Sequence, residues 1–130
     1  MDIVKGGGIA LAGALLAGSA VLFGAFGAHA LRTVLGEQQL GWWETAVQYQ
    51  MWHALGLLAL AGLELGRSRL IALLLGGGTL VFSGSLYLMA LADLGWLGAV
   101  TPIGGSAMIL GWMLFAWQAV RALREPHNQP

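Results

Sequence analysis

The sequence predicts an all-α membrane protein, a four-transmembrane-helix bundle with both termini in the cytoplasm, from three observations. The chain has 130 residues, of which 58% are hydrophobic and only 9% are charged. Soluble domains carry roughly a quarter charged residues, so this chain cannot cover a water-facing surface. Four apolar segments each reach the about 20 residues with which a helix crosses a bilayer. The basic residues gather on one side of those four segments.

The composition also narrows the classes of function. The formal net charge is zero, so no electrostatic feature favours nucleic acid as a partner. The chain has no cysteine, which excludes disulfides, thiolate nucleophiles and cysteine-ligated metals. Its 21 glycines let helix backbones approach closely in lipid.

The four predicted spans differ in how strongly their sequences predict a membrane helix. They cover residues 7–28, 42–65, 70–94 and 100–123. The second span is the weakest because its purely apolar part is too short to cross a bilayer. It therefore carries four polar residues, Glu44, Gln48, Tyr49 and His53. A helix lying flat on the membrane surface over residues 42–50 is the alternative.

The two ends of the chain need separate interpretations. Lys5 and the small residues around 28–30 loosely fit a cleaved signal peptide, but the apolar stretch exceeds the roughly 7–15 residues of its hydrophobic region. A true first span is therefore preferred. Residues 125–130 are predicted to form a disordered cytoplasmic tail.

The arginines and the lysine predict the orientation. One side of the four-span arrangement receives Lys5, Arg67, Arg69, Arg121 and Arg124, and the other receives Arg32. By the positive-inside rule, both termini and the loop between the second and third spans are cytoplasmic. The expected location is the plasma (inner) membrane.

Stripes of small and polar residues predict how the spans pack. The first span contains Ala20-x3-Gly24-x3-Ala28, and the fourth places Gly104, Ala107, Gly111 and Gln118 on one face. In the second span, Glu44, Gln48 and His53 are expected to face the bundle, because an amphipathic helix in lipid turns its polar side inward. Gln50 falls on the opposite, lipid-facing side.

A depth estimate sorts the polar residues into two layers. At about 1.5 Å per residue, His29 lies about 34 Å from the start of its span, and His53 about 20 Å from the cytoplasmic end of its span. The outer layer holds His29, Arg32, Glu44, Gln48, Tyr87 and Thr101. The inner layer holds His53, Ser83 and Ser85, with Tyr49 between the two. These ten residues form the predicted ligand-binding site or polar core.

Each candidate also has a structural interpretation. Arg32 and Glu44 could form an interfacial ion pair, and His29 could donate to Glu44 or cap the first span. A neutral imidazole at mid-membrane needs a partner for each nitrogen, which Ser83, Ser85 or Tyr49 could supply to His53. His53 is thus either a hydrogen-bonding tie between helices or a group that handles a ligand or a proton.

The histidines do not predict a metal or haem site. The estimated depths of His29 and His53 differ by about 14 Å, which is too far for both to ligate one ion. No residue spacing provides the three or four close ligands of zinc. We therefore expect neither a metal nor a cofactor.

Four short strings resemble a known family. In chain order they are GAFGAHAL at 24–31, YQMWHAL at 49–55, FSGSLYLMAL at 82–91 and TPIGG at 101–105. They are similar to the signature segments of the YgdD-like membrane proteins, the domain of unknown function 423 family, which is related to animal transmembrane protein 256. The resemblance implies a four-helix inner-membrane protein and no assigned activity.

Three hypotheses of function follow. The first is a non-enzymatic packing or accessory protein in the lipid bilayer. It forms a homo-oligomer or joins a larger membrane complex. The second is a binding or permeation site for a small amphiphilic ligand, such as a quinone, a lipid or a small solute, centred on His53 with an outer polar gate. The third is an intramembrane enzyme with Ser83 or Ser85 beside His53, and it ranks last because no third, orienting group completes the set.

Overall fold

Four long helices account for most of the chain. A computed structural model describes the backbone of residues 3–126 and the side chains of residues 6–126. The helices are α1 (Ile3–His29), α2 (Glu37–Gly62), α3 (Ser68–Ala92) and α4 (Thr101–Arg124), and a short 3-10 helix (Gly95–Ala99) joins α3 to α4. The all-α prediction is confirmed.

Three helical segments in the described part of the chain are long and apolar enough to cross a membrane. They are Gly6–His29, Ser68–Ala92 and Gly95–Arg124. The remaining helix, α2, is long enough but too polar to qualify by itself, which agrees with its weak sequence signal. Of the predicted tail, only Glu125 and Pro126 are described, and 127–130 lie outside the described residues.

The helices pack in chain order, each against the next. Helix α1 lies against α2, α2 against α3, and α3 against α4, with a smaller contact between α1 and α3. Helices α2 and α3 are therefore central. Their shared core contains Leu57, Leu60, Ile71 and Leu75, each almost completely buried.

Small residues bring α1 and α2 together along nearly their whole length. A Cβ on Gly6 would lie 2.7 Å from the carbonyl oxygen of Ala61, and one on Gly13 would lie 3.0 Å from that of Ala54. At the other end, Gly27 lies under the ring of Trp43. The two helices are thus antiparallel neighbours with little room between their backbones, as small-residue stripes favour in lipid.

The α3–α4 contact depends on a pair of glycines. A Cβ on Gly104 would lie 2.6 Å from the carbonyl oxygen of Gly78 and still closer to the backbone nitrogen of Phe82. Real Cβ atoms cannot approach backbone this closely, so a side chain here would push α3 and α4 apart. This contact places α4 where its side chains reach α2.

The predicted phase of α2 is wrong. Gln50, expected toward lipid, is only 4% exposed, whereas Glu44 and Gln48, expected inside, are exposed. The inward face is instead built on Ala46 and Ala54, which are completely buried. Because α2 lies between two helices, the requirement for close packing selects its small residues and overrides its weak polar periodicity.

A candidate polar site inside the helix bundle

The amide of Gln50 joins three helices. Its Nε2 donates to the carbonyl oxygen of Leu16 at 2.9 Å and to the hydroxyl of Ser19 at 2.7 Å, both on α1. Its Oε1 accepts the hydroxyl hydrogen of Tyr87 on α3 at 2.6 Å. Both N–H groups and the carbonyl oxygen of the amide are therefore hydrogen-bonded. These bonds offset the free-energy cost of burying the amide in an apolar bundle.

An aromatic cluster lies next to Gln50. Trp43 packs edge-on against Tyr87 with ring centroids 4.6 Å apart, and Phe23 packs against Tyr87 at 5.2 Å. The indole Nε1 of Trp43 donates to the carbonyl oxygen of Phe23 at 2.8 Å. The cluster holds the Tyr87 hydroxyl in position for Gln50 and ties α2 to the outer part of α1.

His53 is buried, and both of its ring nitrogens are hydrogen-bonded. The indole Nε1 of Trp112 on α4 donates to Nε2 at 3.0 Å, so Nε2 carries no proton. Nδ1 then carries the proton and donates to the carbonyl oxygen of Tyr49 at 2.8 Å, one turn earlier in α2. Burial was predicted, but the partner Trp112 was not. Two hydrogen bonds thus define one neutral tautomer of His53.

The position of Trp112 depends on a glycine of α2. A Cβ on Gly56 would lie 2.8 Å from the edge of the Trp112 ring. The missing side chain lets the indole lie across α2 beside His53, with ring centroids 5.7 Å apart. On its other side, the imidazole stacks on Tyr49 at 6.0 Å, and Tyr49 contacts Phe82 at 4.5 Å.

The predicted inner serines are buried but do not approach His53 through a hydrogen bond. The hydroxyl of Ser83 donates to the carbonyl oxygen of Ala46 on α2 at 2.7 Å. Ser85 pairs with the hydroxyl of Thr101 at 2.6 Å and links α3 to the start of α4. A serine–histidine dyad is therefore not assembled in this arrangement, and the three hydroxyls tie helices together.

The outermost predicted residues are spread over the surface. His29, Arg32, Glu44 and Gln48 are all exposed, at the end of α1, in the loop after it, and on the outer face of α2. Among the described residues, no ion pair joins Arg32 to Glu44. The structure thus buries His53, Ser83 and Ser85, half-buries Tyr49, Tyr87 and Thr101, and leaves the other four exposed.

A second buried amide lies at the far end of α4. Gln118 is 5% exposed, and its Nε2 has no hydrogen-bond partner within residues 6–126. It lines a cavity of about 180 Å³ between the α2–α3 loop and the last turns of α4. Sequence analysis placed Gln118 on the packing face of its span but assigned it no role.

Sequence reasoning missed two residues of these arrangements, Gln50 and Trp112. Gln50 lies within YQMWHAL at 49–55, one of the strings that resemble the family, but the wrong helical phase placed it toward lipid. Trp112 lies 59 positions from His53 along the chain, and no local pattern links the two. In the described part of the chain, no group of three histidine, aspartate or glutamate side chains could hold a metal ion.

The comparisons with known proteins match this chain over most of its length. Residues 23–105 match the family described as "Protein of unknown function (DUF423)". The chain belongs to this family. A UPF0382 membrane protein of Staphylococcus saprophyticus is 47% identical over 106 residues, which are 78% of this chain and 88% of its own. No solved structure matches the chain.

Two further relatives carry names that bear on location. The UPF0382 membrane protein YwdK of Bacillus subtilis is 41% identical over 116 residues, covering 85% of this chain and 94% of its own. The UPF0382 inner membrane protein YgdD of Escherichia coli is 39% identical over 112 residues, covering 81% and 83%. The family prediction and the location in the plasma (inner) membrane are confirmed, while the relation to animal transmembrane protein 256 stays a prediction.

Proposed function

We propose that this DUF423 protein is a non-enzymatic accessory protein of the inner membrane, a four-span bundle that self-associates or joins a larger membrane complex. The observation that carries the proposal is the outer face of α2. Glu44, Gln48, Trp52 and Leu55 are all exposed there. We call these four residues the α2 strip.

The packing of α2 supports its crossing of the bilayer. It lies against α1, itself a candidate span, from Trp43 beside Gly27 to Ala61 beside Gly6. At about 1.5 Å per residue, those 18 steps of α2 cover about 27 Å, close to the thickness of the hydrocarbon core. A helix aligned in this way with a membrane span occupies the same depth range, which argues against a helix lying flat on the surface.

The positions of the helix ends support cytoplasmic termini. Gly6 lies beside Ala61, and Gly66 lies beside Gln118, so the start of α1, the α2–α3 loop and the end of α4 share one end of the bundle. That end carries Arg67, Arg69, Arg121 and Arg124. The other end contains Arg32 and a hydrogen bond of 3.3 Å from Gln39 to Asp93. By the positive-inside rule, this distribution of arginines supports a cytoplasmic position for both termini.

Reporter fusions test this topology. Green fluorescent protein fused to the C-terminus should fluoresce, and alkaline phosphatase fused there should be inactive, because the phosphatase folds only outside the cytoplasm. The same two reporters inserted between α1 and α2 should give the reverse pattern. Phosphatase activity at the C-terminus would contradict the four-span topology.

The α2 strip supports a protein partner. With α2 in the membrane, the amide of Gln48 faces a medium that offers no hydrogen bonds, and polar groups so placed are costly unless they are paired. A second helix carrying an amide satisfies both the donor and the acceptor of Gln48. Glutamine pairs are among the interactions that associate transmembrane helices.

Disulfide crosslinking tests the self-association. Because the chain contains no cysteine, only the introduced cysteine can form the disulfide between two copies. Leu55→Cys, which keeps the Gln48 amide and replaces a residue of the α2 strip that is 53% exposed, should form a disulfide-linked dimer when membranes are oxidised with copper phenanthroline. Leu73→Cys is the matched control, because Leu73 is 66% exposed on the outer face of α3 and lies outside the strip. Equal crosslinking at both positions, or a wild-type protein that is monomeric both in membranes and in mild detergent, would contradict self-association.

The alternative function, a ligand or permeation site centred on His53, receives less support. The hydrogen-bonding capacity of the imidazole is already used by Trp112 and by the carbonyl group of Tyr49. A ligand would have to break the bond from Trp112 to gain Nε2. The predicted outer gate also receives no support, since Arg32 and Glu44 are exposed whereas the hydroxyl of the half-buried Tyr87 is bonded to Gln50.

A further inference from the structure

The cavity beside Gln118 is half open to the surface and is lined mostly by charged and polar residues. It lies between the α2–α3 loop and the end of α4, with a volume of about 180 Å³. The residues that line it and carry the inference are Glu64, Gly66, Arg67, Gln118, Arg121 and Glu125. None of them takes part in the polar site around Gln50 and His53.

An unpartnered buried amide points to a ligand. The Nε2 of Gln118 is inaccessible and donates to no acceptor among the described residues. A buried amide donor without a partner is destabilising, and buried polar groups in native structures are nearly always satisfied. Because the Gln118 side chain lines the cavity, a turn of its amide that exposes Nε2 there would let an oxygen of a bound ligand satisfy it.

The backbone of the α2–α3 loop keeps Gln118 at the cavity. Arg67 has a left-handed conformation with φ of 57°, and the chain turns sharply there into α3. The turn brings Gly66 so close that a Cβ on it would lie 2.8 Å from Oε1 of Gln118. Glycine therefore lets the loop close over the amide, while the neighbouring Arg67 side chain reaches the cavity.

The charges around the cavity are balanced. Arg67 and Arg121 are cationic, and Glu64 and Glu125 are anionic. Arginine binds phosphate oxygens through paired N–H donors, and carboxylates accept hydrogen bonds from a primary ammonium group. The four side chains together complement a ligand that carries both a phosphate and an ammonium group.

The size and position of the cavity restrict the ligand further. Pockets that enclose a drug-sized molecule have volumes of roughly 300 Å³ or more, so a quinone ring with its tail is not enclosed here. A lipid headgroup is smaller. The cavity also lies at the end of the bundle, where headgroups meet the protein.

We propose that this cavity binds the headgroup of a zwitterionic aminophospholipid. Arg67 and Arg121 hold the phosphate, and Glu64 and Glu125 accept the ammonium hydrogens. Gln118 turns its amide on binding, so that Nε2 donates to a phosphate or ester oxygen. Its placement in the cytoplasmic leaflet rests on the topology proposed above. The binding itself does not, so a micelle experiment can fail independently of the topology.

Native mass spectrometry of the delipidated full-length protein tests the site. Phosphatidylethanolamine should bind about tenfold more tightly than phosphatidylcholine, whose quaternary ammonium has no N–H to donate to Glu64 and Glu125. It should also bind more tightly than phosphatidylglycerol, which lacks the ammonium group. Equal binding of all three lipids would overturn the proposal.

Two paired variants locate the binding. Arg67→Ala with Arg121→Ala should weaken phosphatidylethanolamine binding about tenfold or more. Arg69→Ala with Arg124→Ala removes the same charge from the same end of the protein outside the cavity, and it should retain wild-type binding. Equal losses in the two pairs would show a general surface charge effect and overturn the site.

Gln118→Met removes the amide while keeping the length of the side chain. It should weaken phosphatidylethanolamine binding severalfold with unchanged circular dichroism, and unchanged binding would remove the amide from the site. Water-soluble phosphoethanolamine distinguishes the source of the headgroup. If it binds as tightly as the lipid, the occupant is the free headgroup and the lipid assignment is wrong.

Discussion

Two buried glutamines in this protein have opposite environments. Gln50 lies between α1, α2 and α3, and its amide is satisfied by Leu16, Ser19 and Tyr87. Gln118 lies at the end of α4 and is buried to a similar degree, yet its Nε2 has no partner among the described side chains and backbone groups. Burial alone therefore does not distinguish a structural amide from one available to a ligand. The hydrogen bonds do.

The largest expected effect is at Gln50. Gln50→Leu removes three interhelical hydrogen bonds, each worth about 0.6 kcal/mol in a membrane protein, and should lower the free energy of unfolding by about 2 kcal/mol. SDS titration of the purified protein in micelles measures this. Gln38→Leu, which changes an exposed glutamine at the start of the same helix, should have almost no effect. Equal losses for the two variants would remove Gln50 as the tie between helices.

The next effect is at Tyr87. Tyr87→Phe keeps the aromatic cluster, removes one hydrogen bond worth about 0.6 kcal/mol and leaves Oε1 of Gln50 buried without a donor. The free energy of unfolding should therefore fall by about 1 kcal/mol. In a double-mutant cycle, Tyr87→Phe should cost little when Gln50 is already leucine. Full additivity of the two losses would mean that the 2.6 Å contact contributes nothing.

His53 provides a third measurement, because both of its ring nitrogens are hydrogen-bonded, as the amide of Gln50 is. Trp112→Phe keeps most of the ring over Gly56 but removes the donor to Nε2, with an expected loss of about 0.6 kcal/mol. The imidazole nitrogen shifts in a ¹⁵N NMR spectrum report the same change directly. If Nε2 keeps the shift of a hydrogen-bonded acceptor in the variant, Trp112 is not its partner.

The smallest effect on stability is expected at Gln118. Gln118→Met in lipid-free micelles should change the free energy of unfolding by less than about 0.5 kcal/mol, since no hydrogen bond is lost and an unpaired donor disappears. Adding phosphatidylethanolamine should then stabilise the wild type more than the variant. A loss for Gln118→Met in lipid-free micelles as large as that for Gln50→Leu would end the contrast between the two glutamines.

The outcome at α2 shows how far local patterns reach. The polar residues Glu44, Gln48 and Gln50 are distributed around the helix, so two opposite phases are nearly as consistent with the periodicity. The choice between them came from Ala46 and Ala54, whose small side chains allow α1 and α3 to approach. His53 was predicted to face the bundle, and it is buried in the structure. Its partner Trp112 depends on where α4 crosses α2, and no pattern within a single helix contains that.

Composition and residue order are enough to predict that this protein is helical, that it lies in a membrane, and that its basic residues favour one orientation. Those properties are sums over many residues, because hydrophobic transfer and loop charge add along the chain. Which polar groups meet depends on how the helices pack, since a hydrogen bond needs its two atoms within about 3 Å and one helical step moves a side chain by about 100°. Gln50 and Gln118 have identical side chains, but the neighbouring helices provide hydrogen-bond partners for the amide of Gln50 and, among the described residues, none for Nε2 of Gln118.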